Sequence, residues 1–268
     1  MLTKTIAAVA ILICFGVGAA QEPKVELPRG AANATADSAL LPDSAVIVSI
    51  PANDRIYVGT SLIPKDQLGA KVVELTEQRR SEFPIVFIAA SANVDYCSLV
   101  ETMQVMREHG LEHFGLVVNR AGASEVTRGI FLVEVPSSRD PNGDISRLVP
   151  NPLTLVASLS SDLLLRLNQE RGPRKGELCF TSAPNGLGNE PDSLQKWLTC
   201  VFENRTKQHA YKIGMETRTD VALSDRIEKT VFIKAPLSVK YGDVVRVVNA
   251  VKGAGASPIG LQLDDLPN

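Results

Sequence analysis

The feature that most constrains this chain is a repeat at one fixed offset. The run VFIAASANVDY, Val86 to Tyr96, returns 145 positions later as VFIKAPLSVKY, Val231 to Tyr241. Val86, Phe87, Ile88, Ala90, Val94, Tyr96, Val100, Gly110, Gly115 and Leu116 recur as Val231, Phe232, Ile233, Ala235, Val239, Tyr241, Val245, Gly255, Gly260 and Leu261. Each run reads as an apolar strand, a turn, a helix stopped by glycine, and another strand. Repetition on this scale makes each copy one supersecondary unit, so the 268 residues are expected to form two units.

The first unit extends upstream. Val46, Val48 and Ile50 alternate with smaller or polar neighbours, Asn53-Asp54 is a turn signal, and Ile56 and Val58 resume the alternation. Pro64 suits the first turn of a helix whose apolar stripe is Leu68, Val72, Val73 and Leu75. Phe83 to Ala89 has strand length, Leu99, Met103, Val105 and Met106 give the second helix a buried face, and Phe114 to Val118 is the last strand. The expectation is an α+β fold of two tandem β-β-α-β-α-β modules, each a small mixed sheet with helices on one face. The first module is placed at 43–120 and the second at 121–268.

A shorter offset of 108 joins VELP (Val25 to Pro28) to VEVP (Val133 to Pro136), Pro42 to Pro150, Val48 to Val156 and Asp54 to Asp162. The second unit is thus expected to open with a strand around Gly129 to Val135. The two offsets imply an insertion at about 168–229 in that unit. It holds RGPRKG, SAPNGLGNEPDS, and a helix from about Ser193 to Glu203 carrying Leu194, Trp197, Leu198 and Val201, with Asp192 or Ser193 as its cap. Such an insertion either houses a new site or is a tolerated surface excursion.

The strand, the turn, V-x-Y opening an amphipathic helix, and G-x-x-x-x-G-L at its end together resemble the extracytoplasmic domain of the ExbD/TolR biopolymer-transport family. Lys24-Val25-Glu26-Leu27-Pro28 is similar to that family's membrane-exit motif. The resemblance implies a non-catalytic accessory or scaffold protein of an envelope transport system driven by proton-motive force. It also implies a polytopic channel partner of the ExbB/TolQ type, other envelope proteins or cell wall as partners, and no cofactor. The family couples protons through a membrane-helix aspartate, and Ile6 to Ala20 here contains neither aspartate nor glutamate.

Residues Met1 to Ala20 carry Lys4 as their only charge, followed by an apolar run ending Gly18-Ala19-Ala20. That composition directs export. A helix of about 15 residues spans roughly 23 Å against about 30 Å of bilayer hydrocarbon, which suits a cleaved signal peptide; the resemblance suits a retained anchor. The mature protein is expected in the periplasm, free or anchored in the inner membrane. Residues 21–42 are read as a linker.

Composition removes other classes. With 28 basic and 30 acidic residues, a net charge of −2 and no basic run, nucleic-acid binding has no electrostatic footprint. Nucleophile-elbow, zincin and phosphate-loop motifs are absent from the sequence. His109 and His113 are four apart, but Gly110 ends the helix between them and no third ligand stands nearby; His209 is alone. Asp54 and Asp162 are read as hairpin-turn residues. Tyr96 and Tyr241 either pack or face a partner. Cys179 and Cys200 share the insertion and form a candidate disulfide, whereas Cys97 aligns with Gly242 and has no symmetric counterpart. The two modules are expected to pair within one chain as a pseudo-dimer. The reading from another class is a secreted enzyme with its site in the insertion.

Overall fold

A computed structural model of the protein describes residues 23–30, 45–78, 85–120, 128–135, 153–169 and 187–263. Residues 1–20, read from the sequence as a leader, and Cys179 lie outside them.

The first half follows the alternation in its sequence. Strand β1 is Arg29–Gly30, β2 is Val46–Ala52 and β3 is Arg55–Val58. Val46, Val48 and Ile50 point into the core, and Asn53-Asp54 turns β2 into β3. After the two-residue β4 (Ser61–Leu62) comes helix α1, Lys65–Gln78, then β5, Ile85–Ala90, helix α2, Tyr96–Glu108, and β6, His113–Arg120. β5 lies parallel between β2 and β6, with Val46 opposite Val86 and Val86 opposite Phe114. α1 packs on α2 at Gly69, where an added Cβ would stand 2.2 Å from the His109 ring. Gly110 follows the C-cap of α2 at φ 82°, the left-handed conformation that glycine adopts without steric cost.

The second half repeats the order. β8 is Leu155–Leu159, β9 is Leu165–Gln169, α3 is Pro191–Lys207, β10 is Val231–Lys234, α5 is Tyr241–Gly253 and β11 is Ile259–Leu261; a single turn of helix, α4, spans Leu223–Arg226. β10 lies parallel between β8 and β11, with Leu155 opposite Val231 and Val231 opposite Ile259. Gly255, past the end of α5, has φ 88°.

Three expectations change. The two halves do not form separate small sheets. Strand β7, Arg128–Glu134, pairs antiparallel with β6 along its length and meets β11 in parallel at Glu134 and Gly260, so all 11 strands among the described residues join in one sheet. The Val48–Val156 match is one residue out of step. The pairing sets Val46 and Leu155 in like positions, and a slip of one residue moves a strand's side chains to the opposite face. Val48 is accordingly buried and Val156 only half-buried.

The helix assigned to the insertion is longer than Ser193 to Glu203. It belongs to the core, burying Leu194, Leu198, Val201 and Phe202 and packing on α5 as α1 packs on α2. Neither Asp192 nor Ser193 caps it. Glu190 is the N-cap, without a side-chain bond, and Pro191 begins the helix, where a missing N–H costs nothing and φ is already helical. Arg205, fully buried on α3, donates from Nη1 to the Glu228 carbonyl (3.1 Å) and from Nη2 to the Leu153 carbonyl (2.6 Å). It ties the helix to the start of β8 and to the segment entering β10.

Both halves share one further detail. On the sheet face away from the helices, Phe87 lies across Gly115 and Phe232 across Gly260, where an added Cβ would stand 2.6 Å and 2.3 Å from the respective rings. The recurring glycines are therefore required by the recurring phenylalanines opposite them.

Candidate functional site at the seam of two turns

Each parallel strand pair ends in a turn that opens a helix. In the first half Ser91 to Asp95 leads from β5 into α2, and in the second Ala235 to Lys240 leads from β10 into α5. The first N–H groups of any α-helix lack intrahelical acceptors and must be satisfied from outside. Here the N-cap residues, Asp95 and Lys240, are extended and make no side-chain cap bond.

Their helices are capped by each other's turns. Tyr96 N–H donates to the Val239 carbonyl (2.8 Å) and Tyr241 N–H to the Val94 carbonyl (2.9 Å). Cys97 N–H donates to the Leu237 carbonyl (3.1 Å) and Gly242 N–H to the Ala92 carbonyl (3.0 Å). Every bond has a counterpart 145 residues away with the roles of the halves exchanged, the reciprocal pattern of an isologous contact. Asp95 and Lys240 face each other across an antiparallel bridge at its centre.

Charge reinforces the backbone. Lys240 Nζ stands 2.6 Å from Asp95 Oδ1. Asn53, from the β2–β3 turn, donates from Nδ2 to Asp95 Oδ2 and accepts from Asp95 N–H at Oδ1 (2.9 Å). The Lys240 ammonium first, and the Asn53 amide next, hold the Asp95 carboxyl below the usual carboxylate range. One turn into α2, Glu101 pairs with Lys65 of α1, which holds its carboxyl below the usual range in the same way. Cys97 Sγ approaches Glu101 Oε1 at 3.4 Å, and burial, followed by that carboxylate, pushes the thiol up. It is a free cysteine held away from its reactive form.

Tyr96 and Tyr241 come together at this seam. Both are fully buried, so neither presents its side chain to an outside partner; what each meets is the other half of the same chain. Burial drives both phenols far above their ordinary range, and Tyr96 adds to the effect on Tyr241. Their hydroxyls have no hydrogen-bond partner among the described residues.

The other sequence candidates stand apart. His109 is the exposed C-cap of α2, and exposed His113 begins β6 across the positive-φ glycine. His209 tilts against Tyr211 with ring centroids 5.8 Å apart. Among the described residues no three of His, Cys, Asp or Glu gather as metal ligands. Cys200 is disulfide-bonded, and its partner lies outside the described residues. Sequence reasoning passed over Asp95 and Lys240 and read Asn53 only as part of a turn. The signal was present: positions 95 and 240 match at the repeat offset and carry opposite charges.

The first half carries the comparison with known proteins. Residues 8–121 match the family model described as "Biopolymer transport protein ExbD/TolR". A protein of Pseudomonas putida called "Biopolymer transport protein ExbD" is 36% identical over 111 residues, covering 40% of this chain and 74% of that protein. The chain belongs to the ExbD/TolR family. No solved structure matches it. The family match takes in the complete first half, from β1 to the end of β6, and so includes one side of the seam. Among the described residues no helix is long and apolar enough to cross a membrane.

Proposed function

We propose that this chain is a non-catalytic scaffold of an envelope biopolymer-transport system, built from two copies of the ExbD/TolR extracytoplasmic domain fused in tandem. The first copy is 43–120 and the second 121–268, with its additional residues divided around α3. The observation that carries this reading is the reciprocal capping of α2 and α5, which supports a pair of like domains meeting as a pseudo-dimer inside one chain.

The protein faces the periplasm, either released by cleavage after Ala20 or held by that segment, and works beside a polytopic membrane partner of the ExbB/TolQ type or against the cell wall. Because Ile6 to Ala20 holds no carboxylate, the chain transmits or anchors but does not itself pass protons. Cys179 is the partner of Cys200 in the exported protein, while Cys97 stays reduced.

Sedimentation of the exported protein is expected to give a monomer at micromolar concentration, and detergent extracts of its native envelope are expected to yield a polytopic membrane protein on affinity capture. A stable dimer of extended chains would overturn the tandem arrangement. Capture without any polytopic partner or cell-wall fragment would overturn the scaffold assignment.

A further inference from the structure

We propose that Asp95 and Lys240 decide which halves pair: the opposite charges at the centre of the seam make the first half choose the second half of its own chain and reject a like half from another copy. The inference rests on the tandem reading and adds to it a specificity that the reading does not require.

The argument begins with position. Asp95 and Lys240 occupy the same place in the repeat, each the N-cap of the helix that follows. In a reciprocal contact the residue at the centre meets its own counterpart. Two first halves meeting in this way would set Asp95 against Asp95 of a second copy. Two second halves would set Lys240 against Lys240. Only the mixed pair brings opposite charges to 2.6 Å, with Asn53 holding the other carboxylate oxygen. Like-charge juxtaposition at a contact is a common means of excluding the wrong partner.

Shape acts in the same direction. A Cβ on Gly242 would stand 3.1 Å from the Ala92 carbonyl oxygen and 3.2 Å from the Ala92 Cβ. Cys97 holds the equivalent place in the first half, where it passes the Leu237 carbonyl instead. Pairing two first halves would bring the Cys97 side chain against Ala92, a tight contact that the neighbour must shift to admit. The helix ends sharpen the case: a lysine at a helix N-terminus opposes the macrodipole, so Lys240 is a poor choice for α5 alone and a good one opposite Asp95.

The test exchanges the charges in the full-length protein and reads hydrogen exchange at the Tyr96 and Tyr241 amides. K240D is the discriminating variant. Helix electrostatics alone predicts slower exchange, because aspartate suits the start of α5. The pairing rule predicts faster exchange, by roughly tenfold, because two carboxylates then face each other. D95K is expected to open the seam likewise, and D95K/K240D to restore protection. Mixing D95K with K240D is expected to give a dimer by native mass spectrometry, since each chain then supplies the charge the other lacks. Slower or unchanged exchange in K240D, a double variant as open as D95K, or a mixture that stays monomeric would overturn the pairing rule. A wild-type protein that is itself a dimer would instead overturn the tandem reading.

Discussion

The two halves share a topology but treat the sheet face away from the helices differently. In the first half that face carries Phe87, Ala89 and Val117, which with Ile130 form a small second core packed against Leu27, Ala45, Ile47 and Ile85. Leu27 packs on it from the segment that leads into β1, and that segment is joined to the sheet through Ala92 N–H donating to the Glu26 carbonyl (2.8 Å) and Asn119 N–H to the Pro28 carbonyl (2.9 Å). In the second half the like positions are Phe232, Lys234 and Gln262, all half-buried. Strand pairing fixes this correspondence, so the contrast is chemical and not one of register. Where a segment covers the face, the sequence is apolar. Where none does among the described residues, two of the three positions have become polar. A sheet needs one buried face, and the second is decided by what lies over it.

The comparison can be broken at several points. The largest expected effect is in the second half, where Arg205 holds α3 to two backbone carbonyls. Arg205→Ala removes both hydrogen bonds and empties a buried site, and is expected to cost about 3–5 kcal/mol in urea unfolding. A loss below 1 kcal/mol would mean that α3 is held by its apolar face alone.

Reduction comes next. If Cys200 closes a loop of about 20 residues with Cys179, dithiothreitol is expected to remove about 3 kcal/mol, and non-reducing peptide mapping to find that bridge and no bridged Cys97.

The glycines under the phenylalanines test the cover directly. Gly115→Ala drives its Cβ into the buried Phe87 ring and against Ile130, at an expected cost of about 2 kcal/mol. Gly260→Ala presses on Phe232, which is only half-buried, and is expected to cost less than about 1 kcal/mol. The reverse order would show that the cover does not restrain Phe87.

The smallest effect is that of pH. The folded state lowers the Asp95 pKa, so its contribution is complete above the ordinary carboxylate value of about 4 and is lost as pH falls through the lower folded value. Exchange at the Tyr96 amide is expected to gain an acid-side acceleration, beyond intrinsic chemistry, that Asp95→Asn lacks.

Much of the fold was legible because the repeat is written in residues that geometry demands. Gly110 and Gly255 need positive φ, and Gly115 and Gly260 must leave room for a ring. Alternation in Val46 to Ile50 named the buried face correctly. It does not name the neighbouring strand, and the union of both halves through β7 was therefore invisible. The one-residue slip at Val156 came from matching identities where burial should have decided. The seam was half legible: Tyr96 and Tyr241 recur, but a search for identity discards the positions that differ, and Asp95 and Lys240 matter because they differ.

Reciprocal capping also imposes an order in time. The chain leaves the ribosome from its amino end, so β2 to β7 are available to assemble while the second half is still being made. During that interval the first N–H groups of α2 have water in place of the Val239 and Leu237 carbonyls, and the free edge of β7 waits for β11. The residues that close the structure are among the last to arrive. The slow step in folding is then the docking of the second half, a closure across 145 residues of chain, and any factor that guards the nascent protein must act on the exposed start of α2 and the bare edge of β7.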